Sequence, residues 1–130
     1  MRRIERFTPR VLDRNWGKEI IVAETQTYLG KVLRMNAGTK GGLQYHVEKD
    51  ETFFLLSGTA CVRSDDGTGQ LIQKVMYSGE SYHIPAGAPH QVEAIEDCVF
   101  FEASTPHYDD RVRVEAQYGL PEDGGLPTTR

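Results

Sequence analysis

Apolar residues along the chain fall in short runs, and none of them repeats with the three-to-four spacing of a helix face. Residues 20–24 and 28–35 mix β-branched and aromatic side chains between Gly17, Gly30 and Gly38, and they predict the first strands. A longer apolar stretch starts at Phe53, passes Gly58 and continues to Val62. Ser64-Asp65-Asp66-Gly67-Thr68-Gly69 then reads as a hairpin loop, residues 71–77 return from it, and Ser78-Gly79-Glu80 turns the chain again. Residues 82–84 lead into Pro85-Ala86-Gly87, which stops strand pairing, and residues 91–95 and 98–103 pair across Glu96-Asp97. Residues 111–116 fit a last strand or a short helix equally.

Strands this short and this evenly spaced predict an all-β sandwich or barrel. A double-sheet jelly roll manages most of its edges and leaves an interior cavity for a metal and a small molecule. The expected organisation is an irregular arm over residues 1–15, broken by Pro9 and Asn15, then a β-barrel over 16–118. Residues 119–130, with Pro121, Gly124, Gly125 and Pro127, are expected to form a flexible tail.

Composition narrows the class without changing the fold. The 130 residues suit one domain with one core, and 38% apolar with 26% charged residues describes a soluble globular protein. A net charge of −4 gives no reason to expect nucleic acid or a membrane surface as partner. No apolar run approaches the roughly 20 residues that span a bilayer. The amino terminus is basic but lacks the apolar stretch of a secretion signal, so a cytoplasmic location is expected. Cys61 and Cys98 each fall in a strand, where a reduced, buried thiol is the simpler expectation than a disulfide.

The candidate chemistry lies in residues 38–58. Gln44 and His46 are two apart, so on a strand both side chains face the same way. Glu51 follows after a short polar turn, and residues 79–90 bring His90. Gln44, His46, Glu51 and His90 together offer two imidazole nitrogens and two oxygens. That set suits one divalent transition metal, Zn, Mn, Ni or Fe, with positions open for water or substrate. Glu48 shares the parity of Gln44 and His46, so it either faces the pocket and moves protons or sits at a turn. His83 alternates away from Tyr82 and is either a pocket acid or a surface histidine. Lys31, Arg34, Lys40 and Arg113 are cations able to bind a phosphate, with an ion pair to Asp109 or Asp110 as the plainer role of Arg113. His107 is expected in a solvated loop, and the pairs Phe53-Phe54 and Phe100-Phe101 are expected to be core on one face and interface on the other.

Two stretches resemble the two motifs of the cupin superfamily. The first runs Gly38, Gln44-x-His46, Glu51, Gly58, and the second Gly79, Pro85-x-Gly87, His90, with Gln44 where the usual first histidine stands. An alignment with His46 as the first histidine and Glu48 as the second ligand fits worse, because it shifts the spacings to Gly38 and Glu51. Residues 16–119 further resemble the cupin half of the bifunctional mannose-6-phosphate isomerase/mannose-1-phosphate guanylyltransferases. The likeness is carried by Trp16-Gly17, Leu43-Gln44-x-His46, Ser57-Gly58-Thr59-Ala60, Ile84-Pro85, Asp109-Asp110-x-Val112-Arg113-x-Glu115 and Tyr118-Gly119. That family's Arg-Ala-Glu-His-Trp segment is Lys49-Asp50-Glu51-Thr52-Phe53 here, which keeps the metal glutamate and loses the arginine. The nucleotidyltransferase half has no counterpart in these residues, so guanylyl transfer is not expected of them.

The resemblance implies a metal-dependent enzyme acting on a sugar or sugar phosphate, with an aldose–ketose isomerase type of reaction through a metal-stabilised enediolate. Glu48 or Glu102 would carry the proton, and Lys40, Arg113 and His83 would contact substrate. Two rival expectations use the same ligands or the same cavity: an iron-dependent dioxygenase, and a non-catalytic module binding a sugar or metabolite. An exposed sheet edge predicts a homodimer, with residues 16–24 as the segment added to a partner's sheet.

Overall fold

The computed structural model describes residues 1–107 and 110–121. Eleven strands form two antiparallel sheets packed face to face: β1 (Arg10–Arg14), β2 (Gly17–Glu24), β3 (Leu29–Met35), β4 (Gln44–His46), β5 (Glu51–Ser57), β6 (Thr59–Asp65), β7 (Leu71–Tyr77), β8 (Ser81–Ile84), β9 (His90–Ala94), β10 (Cys98–Ser104) and β11 (Arg111–Arg113). One sheet has the order β1-β2-β3-β10-β5-β8 and the other β11-β4-β9-β6-β7. The all-β jelly roll read from the sequence is therefore the fold. Among the described residues there is no helix long and apolar enough to cross a membrane.

Strands β5 and β10 show the two-residue alternation of a sheet that buries one face. In β5, Glu51, Phe53 and Leu55 are buried while Thr52 and Phe54 are less so, and in β10 Cys98, Phe100 and Glu102 point inward. Phe53 and Phe100 meet edge to face with centroids 5.7 Å apart, and Leu33, Met35, Val62, Met76 and Val92 pack around them. The same register puts Glu51 and Glu102 on the interior face of the barrel. Outside, cross-strand pairing sets Val11, Ile20, Val32, Phe101 and Phe54 in one apolar row across five strands. Each phenylalanine pair thus contributes one core ring and one outward ring. Cys61 and Cys98 are buried free thiols.

Two expectations need correction. The arm over residues 1–15 is not irregular throughout, because Arg10–Arg14 pairs with β2 in full register, from Arg10 opposite Ile21 to Arg14 opposite Gly17. It does so despite its charges because its outward side chains form ion pairs, Lys18 with Asp13 at 2.6 Å and Arg10 with Glu24 at 2.9 Å. In consequence residues 16–24 are covered on both sides, by β1 and β3, and the free edges of this sheet are β1 and β8. The apolar stretch 53–62 is two strands, one in each sheet. Residues 111–116 divide between strand β11 and a 3-10 turn at Glu115–Tyr118. The expected tail falls mostly on residues 122–130, outside the described residues.

Gly58 makes the crossing between β5 and β6 possible. Its φ of 99° lies where only glycine is at ease, and a Cβ there would stand 2.3 Å from the Asp97 carbonyl oxygen. Gly58→Ala is expected to cost at least about 2 kcal/mol, from left-handed strain plus the backbone clash. A denaturant melt of the variant against the native chain measures this, and an unchanged midpoint would refute it.

Candidate metal centre

The site is built where β4, β5 and β9 meet inside the barrel. β4 is three residues long, and its alternation buries Gln44 and His46 while Tyr45 lies between them, half-buried. Glu51 opens β5 and His90 opens β9, and Gln44 lies directly opposite His90 in the ladder. One ligand atom from each of His46, Glu51 and His90 lies within 4.8 Å of the others. His46 Nε2 is 3.7 Å from Glu51 Oε2, and His90 Nε2 is 3.4 Å from Glu51 Oε1.

The imidazoles are aimed from behind. His90 Nδ1–H donates to the Ala88 carbonyl oxygen at 2.9 Å, and a carbonyl can only accept, so this bond fixes the tautomer and leaves the Nε2 lone pair facing inward. His46 Nδ1 is 3.2 Å from Asp110 Oδ1. The other oxygen of Asp110 accepts the backbone N–H of Glu48 at 2.8 Å and of Lys49 at 2.9 Å, so one carboxylate both orients a ligand and ties down the β4–β5 turn.

Electrostatics favour the ligand forms. Burial pushes the His46 imidazole down to about 4, Lys49 and His90 push the same way, and Glu51 and Asp110 oppose, so the ring is neutral at pH 7. Burial works against ionising Glu51, but His90, Lys49 and His46 outweigh it and hold the carboxyl well below the usual range. Gln44 is completely buried, and neither Oε1 nor Nε2 of its amide has a hydrogen-bond partner among the described residues; His46 Nε2 and His90 Nε2 are likewise unbonded. Each such buried orphan costs about 1–3 kcal/mol. Two imidazole nitrogens, a carboxylate and an amide oxygen fit a divalent transition metal, and a bound ion would satisfy three of these orphaned groups together.

Beside this cluster is a cavity of about 20 Å³, room for one water-sized body. Its apolar wall is Leu33, Met35, Phe53, Val92 and Phe100, and its polar wall is Glu51, His90 and Glu102. Glu102 is held by Lys49, whose Nζ lies 3.0 Å from Glu102 Oε2 and 3.0 Å from Glu51 Oε2. Burial and the charge of Glu51 push the Glu102 carboxyl up, against the pull of Lys49 and Lys31.

Other expected site residues lie elsewhere. Glu48 is exposed, because β4 ends at His46 and its parity does not extend into the turn; it pairs with His107 at 3.4 Å. His83 is an exposed residue hydrogen-bonded to Asp50 at 2.7 Å. Lys40 is exposed and takes part in an isolated bridge to Glu93. Arg113 packs over Gly42 and is held by Glu115, Nε to Oε1 at 3.0 Å, while Glu115 also accepts the Leu43 amide. The expected partner Asp110 is engaged at His46 instead, and Asp109 lies outside the described residues. Lys31 is buried against Glu19 at 2.7 Å, away from any phosphate. Sequence reading missed Lys49, although the two-residue parity that paired Gln44 with His46 also pairs Lys49 with Glu51.

The fold and these residues place the chain in the cupin family, whose domain model, described as "Cupin domain", matches residues 31–97, just over half of it. Among curated relatives, mannose-1-phosphate guanylyltransferase 2 of Escherichia coli O157:H7 is 31% identical over 121 residues, covering 89% of this chain and 24% of that one. Mannose-1-phosphate guanylyltransferase of Salmonella muenchen is 28% identical over 114 residues, covering 84% and 23%. This chain therefore spans about a quarter of these relatives' length. Among solved structures, the capsular polysaccharide assembling protein CapF of Staphylococcus aureus superposes with a TM-score of 0.72 at 19% identity, over 84% of this chain and 35% of that one. Oxalate decarboxylase of Bacillus subtilis gives 0.73 at 16% identity, over 93% and 39%. At these identities the likeness is one of fold.

Two outcomes follow for the isolated protein. His46→Ala or His90→Ala is expected to abolish stoichiometric metal in elemental analysis, and Asp110→Asn to weaken binding by about 10- to 100-fold, the usual effect of losing a ligand's orienting partner; full occupancy in both histidine variants would refute the ligand assignment. Because the folded His46 refuses a proton that the unfolded chain accepts below its ordinary value of 6.5, the metal-free protein should lose stability as the pH falls from there toward about 4. Imidazole NMR shifts give the direct check, and a His46 ring titrating near 6.5 would contradict it.

Proposed function

We propose that the protein is a metal-dependent cupin enzyme that moves a proton between adjacent carbons of a sugar or sugar phosphate, in the manner of an aldose–ketose isomerase. The observation that carries this reading is the cluster of His46, Glu51 and His90 ligand atoms beside a cavity that Glu51, His90 and Glu102 line together. Gln44, His46, Glu51 and His90 would hold the ion, and a bound divalent metal would supply polarisation of a carbonyl or hydroxyl oxygen. Its substrate class is supported by the two guanylyltransferase relatives, which are named for a sugar phosphate.

The remaining chemistry belongs to the side chains. Glu102 is buried at the cavity wall, where burial and the charge of Glu51 displace its carboxyl upward, which suits a group that accepts a proton and returns it. Lys49 holds that carboxylate in place at 3.0 Å. The five apolar side chains of the opposite wall keep bulk water from competing for the proton. Glu48, exposed and paired with His107, has no part in this reading.

The apolar wall also supports a second reading, an iron-dependent dioxygenase at the same ligands, since a small apolar space suits dioxygen. The two separate in one experiment. Metal-loaded protein in deuterium oxide is expected to exchange deuterium into C1 or C2 of an aldose phosphate, and Glu102→Gln to slow this by at least about 100-fold at unchanged metal content. No exchange across a broad sugar-phosphate panel would overturn the isomerase reading, and oxygen uptake by the iron-loaded protein would support the second.

A further inference from the structure

Lys49 is completely buried, yet its ammonium touches the centre rather than solvent. It bridges one oxygen of Glu51 and one of Glu102, each at 3.0 Å, while the other oxygen of Glu51 faces His90 Nε2 at 3.4 Å. The two oxygens of Glu51 are therefore unequal: Oε1 faces His90, whereas Oε2, 3.7 Å from His46 Nε2, also carries the Lys49 ammonium. We propose that Lys49 is a positioning residue of the metal centre, which restricts Glu51 to a single ligand oxygen and keeps the Glu102 carboxylate out of the ion's coordination shell. This inference rests on the metal reading of the site and deepens it.

The alternative is that Lys49 merely balances buried charge. Glu102 already has a second buried cation beside it, since Lys31 is its strand partner across β3 and β10 and lowers its carboxyl as Lys49 does. Lys31 is paired with Glu19 at 2.7 Å, so charge balance calls for a cation near Glu51 and Glu102, but it does not call for one ammonium shared between both carboxylates. Nor is the placement incidental, because the Lys49 amide is fixed by Asp110 Oδ2, whose partner oxygen orients His46. Glu51 and Glu102 line one cavity with His90, and a divalent ion flanked by two unrestrained carboxylates would recruit both, as hard cations commonly do. Such capture would consume the group that the proposed reaction needs free to carry a proton.

The test is Mn²⁺ titration of the full chain with EPR spectroscopy of the bound ion. Lys49→Met is expected to bind Mn²⁺ at least about tenfold more tightly, because a unit positive charge leaves a poorly screened site, and to change the fine structure as Glu102 enters the shell. Tighter binding is a result that mere structural damage would not give. Lys49→Met combined with Glu102→Gln should return the affinity to within about threefold of native, and Lys49→Arg should keep the native spectrum. Unchanged or weaker binding by Lys49→Met, or a double variant that keeps the gain, would overturn the proposal. If Lys49→Met does not fold, Lys49→Gln, which keeps a polar side chain but no charge, takes its place in both comparisons; a spectrum identical to native would overturn it. Failure of native protein to bind Mn²⁺, Zn²⁺, Ni²⁺ or Fe²⁺ would overturn the metal reading as well, whereas normal native binding with an unresponsive Lys49→Met overturns this proposal alone.

Discussion

Buried charge is the constraint to which the barrel interior is fitted. Arg14 reaches Glu19 at 2.8 Å, Glu19 reaches Lys31 at 2.7 Å, Lys31 lies opposite Glu102, and Lys49 joins Glu102 to Glu51 at 3.0 Å on each side. Positive and negative groups alternate from the half-exposed Arg14 to the ligand cluster. Removing an ion from water costs several kcal/mol even after relaxation, and only close opposite charges offset that. The apolar residues supply the driving force for the two sheets to pack, but this alternating series limits which charged side chain can stand at each inward position. It also explains why Lys31 and Arg14 are committed inside the molecule and not offered to a substrate.

Much of the architecture was legible in the sequence, because a sheet with one buried face writes its register as a period of two. The strands at 28–35, 71–77 and 98–103 follow from that pattern, and so does the shared face of Gln44 and His46. Spacing alone also brought Glu51 and His90 to the same place. The failures have separate causes. Glu48 was placed by extending parity past the point where a strand ends, and Arg10–Arg14 was dismissed because a charged edge strand has no apolar signature. Lys49 was legible by the same parity that found the ligands, yet a buried lysine is improbable in any sequence until its two carboxylate partners are known.

The Gln44 position shows how far geometry carries the functional argument. An imidazole there would complete a more basic ligand set, whereas an amide oxygen lowers electron donation to an ion, with Glu51 the one anionic member of the set in either case. That difference argues for polarising chemistry over redox cycling, and it does so from the donor type. It does not choose a substrate. Folds of this kind host many chemistries, so the side chains facing the cavity, and not the barrel, hold the distinction.

The tie between Asp110 and His46 has a consequence for assembly. All four ligand positions lie between residues 44 and 90, but the carboxylate that aims His46 and pins the β4–β5 turn comes from residue 110. Glu115 adds a second tie from the same region through the Leu43 amide, next to Gln44. A chain emerging from the ribosome would therefore expose every ligand before the group that orients them. Order at the centre comes late in synthesis, and an ion captured earlier would meet flexible, loosely aimed donors. The closing segment acts as a latch, coupling the maturation of the site to completion of the barrel.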